Sequence, residues 1–207
     1  MGQGKRATVP EALIVVDVQR DFCPGGPLAV PDGDAIVPAV NRLLAAARLA
    51  VLTQDWHPAD HVSFYASHPG RRPFERIVTA SGPQVLWPVH CVRGTDGAGF
   101  HRDLDAAAAD LVIRKGTRRD LDSYSAFFEN DGVSATGLDG YLRDRGIEAV
   151  AIVGLAFDWC VKASALDAAR LGYRVRVVES ACRAIDHDDS RAAARAALEA
   201  AGVILER

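Results

Sequence analysis

The chain has 207 residues, 49% hydrophobic and 25% charged, with a formal net charge of −3. That suits one domain with a sizeable core, and it excludes the strongly basic footprint expected of a protein that binds nucleic acid or an anionic membrane. No apolar run approaches the roughly 20 residues needed to span a bilayer. Four widely spaced cysteines without a Cys-x-x-Cys pair argue against a disulfide scaffold or a thiolate zinc site, and for reduced thiols in a cytoplasmic protein.

Residues 1–10 read as a flexible tail, with two basic residues but without the apolar stretch of a secretory signal. Residues 11–207 read as a single domain. Leu13-Ile-Val-Val-Asp-Val18 is a strand interrupted only by Asp17. Its continuous apolar run, rather than an alternating one, predicts a strand covered on both faces, as in a parallel sheet. Asp34 to Arg48 follows as a helix, with Ile36, Val37, Val40, Leu43, Leu44 and Ala47 repeating on one face. Further strands are predicted at Leu49–Thr53, Leu111–Lys115, Ala149–Gly154, Tyr173–Val178 and Val203–Leu205, and helices at Gly137–Arg145, Cys160–Leu171 and Asp189–Ala201. This alternation predicts an α/β fold: a doubly wound, mainly parallel sheet with helices on both faces, a Rossmann-like three-layer arrangement. The stretch from His57 to Asp110 breaks the rhythm. It has little periodicity, many Gly, Pro, His and aromatic residues, and one short helix expected near Asp103–Ala109. Long loops of this kind are usually functional.

Three chemical groups fall at the carboxyl ends of predicted strands. Cys160 follows Ala149–Gly154 and opens a helix, where the dipole favours a thiolate. Taken alone, a free cysteine more often just fills space in a core. Asp17 stands in an apolar strand, where a carboxylate is costly unless it is paired, caps a turn or does chemistry. Lys115 ends its strand before Gly116, and a lone lysine there would ordinarily snorkel to the surface. In a parallel sheet these ends converge on one rim. Carboxylate, ammonium and thiol together make a nucleophilic machine, in which the lysine acidifies the thiol and the carboxylate carries its proton. A second cluster is Asp55, His57 and His90, with His61 a further candidate. Carboxylate plus imidazoles suits Zn²⁺, Mn²⁺ or Fe²⁺.

These stretches resemble the nicotinamidases (pyrazinamidases) of the isochorismatase-like cysteine hydrolase superfamily. The motifs are Asp17-Val-Gln-Arg-Asp-Phe-Cys-Pro-Gly-Gly26, Asp55-Trp-His-Pro58 with His61-Val-Ser-Phe64, and Trp87-Pro-Val-His-Cys-Val92. They continue through Gly99-Phe-His101, Lys115-Gly116, Asp122-Ser-Tyr-Ser-Ala-Phe-Phe128 and Gly154-Leu-Ala-Phe-Asp-Trp-Cys-Val161. The resemblance implies an isochorismatase-like fold and an Asp17–Lys115–Cys160 triad. It implies one divalent ion, zinc first, on Asp55, His57 and His90, with His61 joining in some members. It places Phe22, Trp87 and Tyr124 around a pyridine ring, and a cis Leu155–Ala156 bond that makes an oxyanion hole of the Ala156 and Cys160 amides. The implied reaction is hydrolysis of nicotinamide, and also pyrazinamide, to the acid and ammonia through a thioester, with the ring nitrogen on the metal. Relatives often self-associate, which makes a homo-oligomer an open expectation. Departures fall at Phe157 and Trp159, where relatives commonly carry Thr and a smaller aromatic or His. A maleamate-type amidase is the enzymatic alternative, and a catalytically silent binding protein the non-enzymatic one.

Overall fold

The computed structural model describes residues 10–207; nine of the ten residues expected to form a tail lie outside it. Six strands form one sheet: β1 (Glu11–Val16), β2 (Ala50–Asp55), β5 (Leu111–Lys115), β6 (Ala149–Gly154), β7 (Arg174–Cys182) and β8 (Ile204–Glu206). Their order is β5-β2-β1-β6-β7-β8, and every pairing is parallel. All residues of β2 and β6 are buried, as are all but the first of β1. Burial of both faces is what the unbroken apolar runs predicted.

The chain leaves β1 through α1 (Val37–Ala46) toward β2. It later leaves β6 through α3 (Lys162–Arg170) toward β7, and β7 through α4 (Ser190–Ala200) toward β8. These crossovers run in opposite directions from the middle of the sheet. Right-handed connections therefore put α1 on one face and α3 and α4 on the other. The helix α2 (Leu138–Asp144) precedes β6. The point where the direction reverses lies between β1 and β6, the place where doubly wound sheets hold ligands.

Three expectations need correction. The helix expected from Asp34 becomes α-helical only at Val37; residues Gly33–Ile36 form a tighter turn before it, with Pro38 in the first turn. The helix expected near Asp103–Ala109 is a single 3₁₀ turn, Ala106–Ala108. The long stretch after β2 contains a hairpin of β3 (Arg76–Thr79) and β4 (Gly82–Val85) that the sequence reading missed. Pro83 and the short strand lengths hide it, since Pro demotes a run from strand to loop.

That long stretch is ordered by pairing with itself and with β1's exit. Trp87 N–H donates to Ser63 O (2.7 Å) and Tyr65 N–H to Trp87 O (2.9 Å). His57 N–H donates to Cys91 O (3.0 Å) and Arg93 N–H to His57 O (2.8 Å), while His101 N–H reaches Val18 O (2.9 Å). The segments that carry His57, Trp87 and His90 are thereby laid along the carboxyl rim of the sheet.

Gly154 ends β6 with φ +117°, and a Cβ there would stand 2.1 Å from Val16 O of the neighbouring strand. Only glycine allows β1 and β6 to approach so closely at the rim. Gly154→Ala combines a disfavoured backbone with a backbone clash and should cost about 2–5 kcal/mol. Thermal or denaturant unfolding checks this, and a variant as stable as the parent would contradict the packing described.

Candidate active site and metal centre

Lys115, the last residue of β5, is wholly buried. Its Nζ lies 2.9 Å from Asp17 Oδ2, 2.5 Å from Asp55 Oδ1, 3.1 Å from Ser123 O and 3.6 Å from Cys160 Sγ. Burial alone would discharge an ammonium, but the two carboxylates outweigh it and hold its pKa well above the ordinary value. The lysine thus joins the two clusters foreseen separately in the sequence.

Asp17 follows the last residue of β1 with a left-handed φ of 49° and is fully buried. Thr53 in β2 donates its hydroxyl to Asp17 Oδ1 (2.6 Å) and accepts from the Asp17 N–H (3.2 Å). Oδ2 is ion-paired with Lys115 but has no hydrogen-bond donor in line. Burial, with the Asp55 charge adding, raises this carboxyl to about 6 against the pull of Lys115 and Thr53. Carboxylate oxygens of Asp17 and Asp55 and the Cys160 sulfur lie within 4.8 Å of one another.

Cys160 lies in one wide turn, Phe157–Val161, that precedes α3; Val161 N–H closes it onto Ala156 O (3.1 Å), five residues back. The cysteine therefore sits just ahead of the α-helix rather than opening it. The expected acidification is also corrected. Burial, followed by the carboxylates of Asp17 and Asp55, pushes the thiol well above its usual range even though Lys115 pulls it down. The resting group is a neutral thiol beside a carboxylate of raised basicity. The Leu155–Ala156 bond is cis, as the resemblance implied.

At the other side of Lys115, Asp55 ends β2. His57 Nε2 lies 3.5 Å and His90 Nε2 4.0 Å from Asp55 Oδ2. His57 Nδ1 meets Gly116 O at 2.8 Å and His90 Nδ1 meets Pro88 O at 2.7 Å. A carbonyl only accepts, so each Nδ1 carries a proton, and each Nε2 is the nitrogen turned toward Asp55, with a lone pair when the ring is neutral. Two imidazole Nε2 atoms and a carboxylate oxygen converge, the donor set a divalent cation fits. Burial works against a charged His57, but the Asp55 carboxylate outweighs it and raises the His57 pKa, so a cation and a proton compete for this nitrogen. Gly116 has φ +60°, and a Cβ there would come within 2.3 Å of the His57 ring. Burial works against the Asp55 carboxylate, but Lys115 and His57 outweigh it and hold its pKa down. Burial and the neighbouring His57 bring His90 down to about 4. Low proton affinity leaves both groups free to ligate near neutral pH.

His61 is close but differently engaged. Its ring stacks on His57 at 4.2 Å, its Nδ1 meets Ser63 Oγ (2.7 Å), and its Nε2 meets Leu121 O (3.2 Å). Both nitrogens have protein partners here, and its ligand atom falls within 4.8 Å of those of His57 and Asp122 and not in the Asp55–His57–His90 group.

Phe22, Trp87, Tyr124, Ala156 and Cys160 line one pocket together with Asp55, His57 and His90. Trp87 Nε1–H donates to Tyr124 Oη (3.1 Å), and the Trp87 and Trp159 rings meet at right angles 4.6 Å apart. Of the two departures, Trp159 lines this pocket and Phe157 lines a separate cavity with Pro31 and Arg183. Larger cavities lie elsewhere, including one of about 590 Å³ bordered by Pro10, Leu49 and Arg176. None of the groups described above reaches it.

Several supporting residues escaped the sequence reading. Gln19 Nε2 donates to Asp55 O (2.9 Å) and Ala98 O (2.9 Å), and its Oε1 accepts from Asp55 N–H (2.8 Å). Asp21 Oδ2 accepts from Cys91 N–H (2.7 Å), fixing the backbone next to His90. Thr53 and Gln19 are both fully buried. The available signal was polar residues at the end of, or just beyond, strands whose surroundings had to be apolar.

The isochorismatase domain model matches residues 11–206. A nicotinamidase of Acinetobacter baylyi is 51% identical over 192 residues, covering 93% of this chain and 90% of the relative. An Acinetobacter baumanii nicotinamidase–pyrazinamidase structure superposes with a TM-score of 0.95 at 49% identity, covering 98% of both chains. A structure from L. infantum in complex with nicotinate gives 0.84 at 39% identity, covering 96% and 93%. A Pyrococcus horikoshii pyrazinamidase in complex with zinc gives 0.76 at 36% identity, covering 96% and 99%. The fold, the rim of strand ends and these likenesses agree: the chain belongs to the isochorismatase family.

Proposed function

We propose that this protein hydrolyses nicotinamide to nicotinate and ammonia, with Cys160 as nucleophile. The observation that carries this reading is the single buried cluster in which Lys115 Nζ touches Asp17, Asp55 and Cys160. It is supported by the nicotinamidase relatives and by the neighbour in complex with nicotinate.

Asp17 takes the thiol proton as sulfur attacks the amide carbon, and Lys115 holds Asp17 in place and offsets its charge. The C=O π electrons collect on oxygen, which the Ala156 and Cys160 N–H groups receive. An oxyanion-hole donor is typically worth about 3–4 kcal/mol. Asp17 returns the proton to nitrogen, the C–N bond breaks, and ammonia leaves a thioester. Asp17 next takes a proton from water, whose oxygen attacks the thioester carbon. The C–S bond breaks, the thiol regains its proton, and nicotinate is released. A raised Asp17 pKa suits both transfers, because a base tuned toward the working pH can accept and return a proton.

Phe22, Trp87 and Tyr124 wall the aromatic ring. Asp55, His57 and His90 would hold one divalent ion, which supplies a Lewis acid for the ring nitrogen. Zinc fits two imidazoles and a carboxylate, and the P. horikoshii neighbour was found with zinc.

Cys160→Ala should lose ammonia release by about three orders of magnitude or more, while nicotinamide binding by calorimetry persists. Appreciable turnover by that variant would remove the nucleophile. Elemental analysis should find about one zinc per chain in the parent and little in His57→Ala, and a chelator should abolish parental activity until a divalent ion is returned. Full activity in a metal-free preparation would contradict the role given to Asp55, His57 and His90.

A further inference from the structure

Asp158, two residues before the nucleophile, is wholly buried and enters none of the steps above. Its Oδ1 accepts from Ile185 N–H (3.0 Å), and its Oδ2 accepts from Asp186 N–H (2.8 Å) and from the Ser190 hydroxyl (2.5 Å). Two of the donors belong to the segment that joins β7 to α4, and the third, Ser190, is the first residue of α4. Phe157 N–H also reaches this segment, at Arg183 O (2.7 Å). Farther along, the His187 ring lies 4.9 Å from Phe74, which in turn packs edge-on against Trp87 of the pocket wall. Ile185 itself lines the pocket that holds Cys160. The segment thus touches the nucleophile's turn, contributes Ile185 to the pocket lining, and packs through His187 on Phe74, which backs Trp87.

Helix capping does not account for Asp158. The helix α4 begins at Ser190, and a cap would serve the N–H groups of its first turn. Asp158 instead satisfies the N–H groups of Ile185 and Asp186, which lie before the helix. Those two residues leave the sheet at an abrupt bend, with Asp186 at a left-handed φ of 56°. Two adjacent N–H groups pointing inward need an acceptor with two oxygens and no proton, which Asp provides and Asn does not.

We propose that Asp158 is a positioning residue that holds Arg183–Asp189 as the roof of the substrate pocket. One carboxylate thereby ties the turn bearing Cys160 to the apolar wall supplied by Ile185. The inference rests on the amide-hydrolase reading of this pocket. Through the roof, Asp158 governs how tightly the ring of a flat aromatic amide is held, more than how fast the amide is cleaved.

The test is a double-mutant cycle on ammonia release from nicotinamide, using Asp158→Asn, Ile185→Ala and the pair. In Asp158→Asn an amide NH₂ replaces one acceptor and opposes an inward N–H, displacing the roof. Each single change should raise KM by about tenfold, with kcat altered less than about threefold. The double variant should raise KM no further than the larger single effect, because both changes remove the same wall. A double variant whose KM rises by the product of the singles would overturn the proposal, as would Asp158→Asn lowering kcat at unchanged KM. Should Asp158→Asn fail to fold, Ser190→Ala removes one donor of three and leaves the carboxylate in place. It should raise KM by a smaller factor and remain non-additive with Ile185→Ala; an unchanged KM overturns the proposal. Absence of ammonia release by the parent would sink the amide-hydrolase reading itself, whereas parental turnover with additive variants sinks the roof alone.

Discussion

One buried ammonium organises the rim of this sheet. Lys115 sits with no exposure between Asp17 and Asp55, carboxylates from two adjacent central strands. Removing three charges from water is expensive, and an ion cluster of this kind is weak evidence for stability. Its persistence in a core otherwise built of Val, Ile, Leu and Ala points to chemistry. The arrangement also divides labour between two identical side chains. Asp55, buried but close to Lys115 and His57, is held ionised, while Asp17, equally buried and repelled by Asp55, is left with a raised proton affinity. Two carboxylates with divergent environments are how one site can hold a cation and shuttle a proton side by side.

The fold makes that arrangement geometrically cheap. Parallel strands end on the same edge, so Lys115, Asp55 and Asp17 come from the neighbouring strands β5, β2 and β1 without any long reach. Cys160 arrives from the next strand, β6, through a wide turn that starts where Gly154 lets β6 press against β1. The thiol is kept neutral by its surroundings, and Lys115 limits that effect without reversing it. Activation by a nearby base at the moment of attack is the consistent reading, as opposed to a standing thiolate.

Much of this was legible in the sequence because the relevant signals were local. The strand at Leu111–Lys115 and that at Ala149–Gly154 have the bounds their apolar runs predict; Lys115 and Asp55 end their strands, Asp17 directly follows β1, and Cys160 comes in the turn after β6. What escaped was non-local. No pattern within Arg76–Val85 announces a hairpin, since its exposed strands carry Arg, Pro and Gly and owe their pairing to the turn between them. Gln19 and Asp158 look like ordinary polar residues until residues 36 and 27 positions away are brought to them. His61 is a different case: its type and position suit a ligand and it clusters with His57 and Asp122, while Ser63 and Leu121 meet its nitrogens. The direction of the thiol's pKa was missed for the same reason. A helix end and a lysine were visible in the sequence, whereas full burial beside two carboxylates was not.

The central claim is a covalent thioester, and partitioning tests it most directly. Hydroxylamine added during nicotinamide turnover should divert product from nicotinate to nicotinohydroxamate in proportion to its concentration, because water and hydroxylamine compete for one acyl-enzyme. Nicotinate as the sole product at every hydroxylamine concentration would contradict a thioester and indicate direct attack of water on the amide.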